Sequence, residues 1–190
     1  MESDYYKTKK SVNEYIKLAK DVNGAELIQQ LEKFLPSNST LLEIGSGPGT
    51  DWNILKDKFK IIGSDYSPEF LKHLISNNPT GNFITLDATT LNTNEKFKGI
   101  YSNKVLHHLT DNEFTASIKR QLDILDEGGI ICHSFWKGEG SEIFNSLFVN
   151  YHSKEGLKTF LEPYFEILFL EYYNEFETDD SILFIGKKKQ

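Results

Sequence analysis

Apolar residues fall into two rhythms along this chain. From Ser11 to Lys20, Val12, Tyr15, Ile16 and Ala19 recur at the spacing of one helix face. The same spacing returns in Leu27, Ile28, Leu31, Phe34 and Leu35, predicting a helix over Ala25–Leu35 that Pro36 stops. Short apolar runs then alternate with helical stretches. Strands are predicted at Thr40–Ile44, at Lys60–Ser64 (ending on Asp65), at Asn82–Leu86, at Lys98–Ser102 and at Ile130–Phe135. Between them the pattern predicts helices over Thr50–Asp57, over Pro68–Ser76 with proline in the first turn, and over Asp111–Leu125. Gly128-Gly129 is expected to close the last of these as a helix C-terminus. A polar loop follows, then a helix capped by Ser153 and reaching Leu161.

The last part changes rhythm. Tyr164–Tyr173 and Ser181–Lys187 read as two long strands around the acidic turn Asn174–Asp180, hence an antiparallel hairpin. Strand-helix alternation predicts a parallel, doubly wound α/β sheet, to which the hairpin is a distinctive addition.

Length and composition narrow the function classes. With 190 residues the chain suits a single domain, 1–190, with one sizeable core. A net charge of −7 argues against non-specific nucleic-acid binding, which needs clustered Lys and Arg. Lys187-Lys188-Lys189 reads as a solvated run. The lone Cys132 permits no internal disulfide and reads as a small core residue. His73, His133 and His152 are scattered, so no metal is expected. No apolar run approaches the ~20 residues of a membrane span, and MESDYYKTKK lacks a signal peptide's apolar centre. No membrane partner is expected, and the cytoplasm is the expected compartment.

Candidate chemistry begins at Glu43-Ile44-Gly45-Ser46-Gly47-Pro48-Gly49. Alternate glycines after a buried strand let the backbone turn sharply and let a ligand approach it closely. The motif also fits a tight strand-to-helix turn with no ligand. A dinucleotide fingerprint would place glycine at position 50, where Thr50 stands, and a phosphate loop's Gly-Lys-Ser/Thr is absent. Asp65 falls 20 residues after Gly45, where an acid can take both hydroxyls of a ribose or simply cap the next helix. Glu43, Asp65 and Asp87 end three successive strands, on the edge where open α/β sheets bind ligands.

In these motifs the chain resembles the class I S-adenosylmethionine-dependent methyltransferases, nearest to the small bacterial methyltransferase domain 11/25 type. LLEIGSGPGTD, IIGSDYS, LDATTL, YSNKVLHHLTDNE and LDEGGIICHSFW are similar, in order, to that family's successive motifs. The resemblance implies a three-layer Rossmann-like sheet of about seven strands, mostly parallel, whose last strand inserts antiparallel. It implies a transferase that methylates with S-adenosylmethionine and releases S-adenosylhomocysteine. It implies that Gly45, Ser46 and Gly47 line the cofactor's methionine part, with Glu43 and Asp51 near its ammonium. Asp65 would hold the ribose hydroxyls and Tyr66, bulkier than the usual residue there, would pack on the adenine. Asp87 would accept from the adenine amino group beside the Ala88 N–H, and Asn103 would meet the methionine end through its carbonyl.

Methyl transfer from a sulfonium needs in-line orientation and exclusion of water more than strong acid-base help. His107 and His108 are the candidates for a general base, although at least one could instead pack under the helix starting near Asp111. Asn103-Lys104-Val105-Leu106 lacks the Pro-Pro motif of DNA-adenine methylation, and Cys132 lies inside a strand rather than in a Pro-Cys loop. The expected acceptor is an oxygen or nitrogen of a small molecule. Residues 1–36 are expected to cap the site, 37–136 to bind the cofactor, and 137–190 to supply a helix and the closing hairpin. Tyr5, Tyr6, Tyr15 and the loop Trp136–Tyr151 are expected to cover the site, their aromatic rings either shaping an apolar acceptor pocket or serving as ordinary packing. The rival readings are a cofactor-binding protein of this fold without turnover, and a nicotinamide-dependent reductase. The second would need Gly at position 50, where Thr50 stands, and a catalytic Tyr-x-x-x-Lys, a spacing that occurs only at the N-terminus, at Tyr5–Lys9 and Tyr6–Lys10.

Overall fold

The computed structural model of the protein describes residues 6, 8–20, 22–144 and 147–190. Helices α1 (Lys9–Leu18) and α2 (Ala25–Leu31) precede strand β1 (Thr40–Ile44). There follow α3 (Thr50–Leu55), β2 (Lys60–Asp65), α4 (Pro68–Asn77), β3 (Phe83–Thr85) and β4 (Phe97–Asn103). After a 3-10 turn at Leu106–His108 come α5 (Asp111–Ile124) and β5 (Leu125–Trp136). The chain ends with β6 (Ser141–Phe144), β7 (Leu147–Asn150), α6 (Lys154–Leu161), β8 (Phe165–Tyr173) and β9 (Ser181–Lys188).

Seven strands form one sheet in the order β3-β2-β1-β4-β5-β9-β8. The first five pair in parallel, and β9 enters antiparallel between β5 and β8. This is the mostly parallel, Rossmann-like sheet with an antiparallel inserted strand that the resemblance implies. The order reverses between β1 and β4, so their carboxyl ends open a crevice at a topological switch point.

Side-chain alternation divides the core between the two faces of the sheet. Leu42, Ile44, Ile62 and Ile100 face the cluster built with Phe114 and Ile118 of α5 and Leu157 and Leu161 of α6. Leu41, Ile61 and Tyr101 face the opposite cluster, with Leu27, Ile28 and Leu31 of α2 and Trp52 and Leu55 of α3. Two buried faces explain why the central strands read as apolar runs. Capping side chains set several helix starts. Thr8, Ser67, Thr110 and Ser153 each accept a backbone N–H at an N-terminus, and Thr110 with Glu113 forms a reciprocal capping box.

Two expectations are corrected. Gly128-Gly129 does not close a helix; α5 passes straight into β5 at Leu125, which pairs with Phe97. The next pairing is Gly99 with Ile130, so the two glycines lie in a bulge of β5, with Gly128 at φ 66°. The polar loop after β5 contains the hairpin β6–β7, whose register runs from Ser141↔Asn150 to Phe144↔Leu147.

Candidate functional site

A cavity of about 580 Å³ opens at the carboxyl ends of β1, β2 and β4. Its floor is the glycine bend after β1. Gly45 (φ 70°) leaves no room for a larger residue, because a Cβ there would lie 2.5 Å from the Val105 side chain. Gly47 (φ 49°) differs: a Cβ there would meet nothing within 4 Å, so its bare face looks into the cavity. The Ser46 N–H donates to the Ser64 carbonyl at 2.8 Å, joining the bend to β2.

Three acids shape this floor. Glu43 is 2% exposed, and its Oε2 accepts from Ser46 Oγ at 2.5 Å. Burial, reinforced by the neighbouring Asp51, pushes its pKa up to about 8. Asp51 accepts from the Gly24 N–H (2.6 Å), from the Tyr101 hydroxyl (2.7 Å) and from Asn103 Nδ2 (3.0 Å). It therefore ties the first turn of α3 to the start of α2 and the end of β4. Asp65 Oδ2 accepts the Gly47 N–H at 2.9 Å and Oδ1 the Ser67 N–H at 2.8 Å. Burial raises its pKa to about 6, against the opposing pull of these backbone donors.

On the β3 side, Asp87 Oδ1 accepts the N–H groups of Thr89 and Thr90, both at 2.9 Å, which leaves Oδ2 for another donor. Ala88 is fixed through its carbonyl, which accepts from Ser117 Oγ at 2.6 Å. On the β4 side, Asn103 Oδ1 accepts from Ser134 Oγ at 2.5 Å.

The cavity brings together Glu43, Gly45, Ser46, Gly47 and Asp51 with Asp65, Tyr66, Asp87, Ala88 and Asn103. His108 also lines it, whereas His107 does not. The two rings meet at 4.0 Å between centroids, tilted by 49°. His108 Nδ1 donates to the Phe148 carbonyl at 2.7 Å, since a carbonyl can only accept. That bond fixes the tautomer and leaves Nε2 as the basic atom. Burial lowers its pKa, so the ring is neutral. His107 is 2% exposed, its pKa falls well below the usual value through burial, and its Nδ1 has no hydrogen-bond partner among the described residues.

Of the expected covering residues, Tyr6, Tyr15, Trp136 and Phe148 line the cavity. Tyr5 lies outside the described residues. Tyr6 and Tyr15 pack edge-on at 5.4 Å and both rest against Phe70 of α4. The Tyr6 carbonyl accepts from Ser67 Oγ at 2.6 Å, close to Asp65.

Sequence reasoning missed the group around Lys104. This residue follows β4 with a left-handed backbone (φ 54°), a conformation rare outside glycine and asparagine. Its Nζ lies 3.4 Å from the Trp136 ring centroid, donates to Ser181 Oγ at 2.6 Å and stands 3.6 Å from Glu175 Oε2. Burial lowers its pKa to about 8, although Glu175 and Asp180 pull the other way. Phe176 stacks on Trp136 at 5.9 Å. Glu175, Phe176 and Asp180 come from the β8–β9 turn and Ser181 opens β9, all more than seventy positions from Lys104, and no local pattern announces them. Among the described residues, no cluster of His, Cys, Asp and Glu could hold a metal ion, and no helix is long and apolar enough to cross a membrane.

Comparison with known proteins agrees with this architecture. Residues 41–129 match the family model described as "Methyltransferase domain". A search of curated proteins by sequence finds no match. Among solved structures, an S-adenosylmethionine-dependent methyltransferase from Clostridium acetobutylicum superposes with a TM-score of 0.77 at 16% identity, covering 95% of this chain and 98% of that one. The N-methyltransferase NodS from Bradyrhizobium japonicum, in complex with S-adenosyl-L-homocysteine, gives 0.75 at 16% identity with both chains fully covered. The 1,6-didemethyltoxoflavin-N1-methyltransferase of Burkholderia thailandensis gives 0.75 at 15% identity, covering 95% of this chain and 85% of that one. At such identities these are likenesses of fold.

Proposed function

We propose that this chain, whose residues 41–129 match a methyltransferase domain model, is an S-adenosylmethionine-dependent methyltransferase that transfers a methyl group in line to an oxygen or nitrogen of a small molecule. The observation that carries the reading is one cavity lined together by Gly47, Asp65, Asp87 and Asn103. Its chemistry fits the cofactor: a bare glycine face, an acid pushed up to about 8 that a cationic group would relieve, and acids at two further strand ends.

In this reading Gly45, Ser46 and Gly47 bear on the methionine part, and Glu43, beside Asp51, answers its ammonium. Asp51 already accepts three hydrogen bonds, so its main work is to hold Asn103, Tyr101 and Gly24 in place. Asn103 offers its carbonyl to the methionine end. Asp65 takes the ribose hydroxyls with the lone pairs that Gly47 and Ser67 leave free. Tyr66 packs against the adenine, Asp87 Oδ2 accepts from its amino group, and the Ala88 N–H donates to a ring nitrogen. The bound cofactor supplies a methyl group already activated by its sulfonium.

The protein's remaining task is to orient the acceptor and exclude water. On one side the cavity is capped by Tyr6 and by Tyr15 of α1. Another side is closed by Phe148 of β7 and by Phe176, which stacks on Trp136. His108 Nε2 takes the acceptor's proton as the bond to the methyl group forms. His107 backs the His108 ring rather than meeting the acceptor.

The test is transfer of labelled methyl from S-adenosylmethionine to a small-metabolite extract. The reading expects label in a low-molecular-weight product. Binding of S-adenosylhomocysteine with no transfer to any extract would leave a cofactor-binding protein. A thermal shift with NAD or NADP and none with S-adenosylhomocysteine would favour a reductase.

A further inference from the structure

A chain of buried polar side chains runs through the core between two walls of the cavity. Ser102 and His133 are register partners on β4 and β5, and their Oγ and Nδ1 lie 2.8 Å apart. His133 Nε2 lies 2.8 Å from Gln121 Oε1. Gln121 Nε2 donates to Ser117 Oγ, one helical turn away, at 3.2 Å. Ser117 Oγ donates to the Ala88 carbonyl at 2.6 Å. All four side chains belong to fully buried residues.

The chain has one direction. The Ala88 carbonyl can only accept, so the Ser117 hydroxyl proton points to it and its oxygen must accept from the Gln121 amide. The Gln121 carbonyl then accepts, so His133 carries its proton on Nε2 and its Nδ1 accepts from the Ser102 hydroxyl. Burial lowers the His133 pKa to about 3, which keeps the ring neutral and the order intact. Each member is satisfied, and loss of any one would leave a buried partner unpaired.

We propose that Ser117, Gln121 and His133 are positioning residues for the adenine end of the cofactor, holding the 87–89 turn so that Asp87 Oδ2 and the Ala88 N–H face the cavity together. The proposal rests on the cofactor reading above. The turn has two restraints. Asp87 Oδ1 fixes the Thr89 N–H from one side, and Ser117 fixes the other end of the same peptide, the Ala88 carbonyl. The adenine contacts therefore depend on a helix and two strands that never touch the base. Because the chain starts at Ser102, it also couples this turn to the β4 end that carries Asn103.

The test compares S-adenosylhomocysteine with S-inosylhomocysteine, in which the amino group becomes a carbonyl and the ring nitrogen gains a proton. Both hydrogen bonds to the turn would then meet the wrong partner. The wild-type protein should prefer the adenosyl compound by about a hundredfold. Ser117→Ala should weaken the adenosyl compound about tenfold and the inosyl compound little, so that the preference shrinks about tenfold. Ser117→Thr, which keeps the hydroxyl, should restore it. Ser102→Ala, at the far end of the chain, should shrink the preference by a smaller factor. A merely structural role would weaken both ligands equally. A wild-type preference retained in both alanine variants would overturn the proposal. No binding of S-adenosylhomocysteine by the wild-type protein would instead strike the cofactor reading, and this proposal with it.

Discussion

Asp65 Oδ2 accepts the Gly47 N–H at 2.9 Å, so the carboxylate that ends β2 pins the glycine bend that follows β1. The same side chain serves the ligand and the shape of the floor beneath it. Asp65→Ala should therefore cost more than its own ligand contact. The expected loss of S-adenosylhomocysteine affinity is at least about a hundredfold, as for removal of a charge-assisted acceptor pair. Equilibrium dialysis of the variant checks it; unchanged affinity would remove the ribose assignment.

Glu43 ties cofactor binding to pH. With its pKa raised to about 8, the buried carboxyl is mostly protonated at neutral pH in the free protein. A cationic ligand group beside it favours the carboxylate, so binding should release a proton and tighten from pH 6 towards pH 8. Titration calorimetry in buffers of different ionisation enthalpy would reveal the released proton. The sign for stability is opposite in the free protein. A folded pKa above the unfolded value stabilises at low pH, and that gain is lost as pH rises through the folded value. The Tm increase caused by S-adenosylhomocysteine should therefore grow between pH 5 and pH 8.

Two glycines should fail in different ways. Gly45→Ala drives a Cβ to 2.5 Å from Val105, so the variant should be less stable than Gly47→Ala and lose Tm clearly. Gly47→Ala adds its methyl to open space and bears mainly the left-handed backbone cost of about 1–2 kcal/mol. It should fold and yet bind S-adenosylhomocysteine poorly. Denaturation curves and dialysis on both variants separate the two effects. Tight binding by Gly47→Ala would mean that the ligand does not approach the bend.

The paired histidines should also separate. Once an acceptor is in hand, His108→Ala should lower kcat by about a hundredfold or more with cofactor affinity unchanged. His107→Ala should act mostly on stability, because its ring lies off the cavity. Full activity of His108→Ala would leave orientation alone as the source of catalysis.

The part of this fold nearest the cavity was legible because local signals and burial agree there. Thr40–Ile44 and Lys60–Asp65 are apolar runs ended by glycines or an acid, and the structure places both where the pattern predicts. The hairpin β8–β9 was legible for the same reason, as two long apolar stretches around an acidic turn. The hairpin β6–β7 was not. Its first strand, Ser141–Phe144, is exposed throughout, so no alternation of buried and exposed positions marks it. At the site, the acids at the strand ends could be found by their positions alone. Tyr101 could not be linked to Asp51, nor Lys104 to Glu175 and Ser181, because those pairings span fifty residues or more and depend on how the sheet closes.

The central claim is that the cavity above the glycine bend holds an S-adenosyl ligand. Calorimetric titration of the wild-type protein with S-adenosylhomocysteine at pH 8 tests it most directly. One molecule bound per chain, with no heat from NAD under the same conditions, is the predicted result. Absence of any binding heat for S-adenosylhomocysteine across a range of temperatures would contradict it.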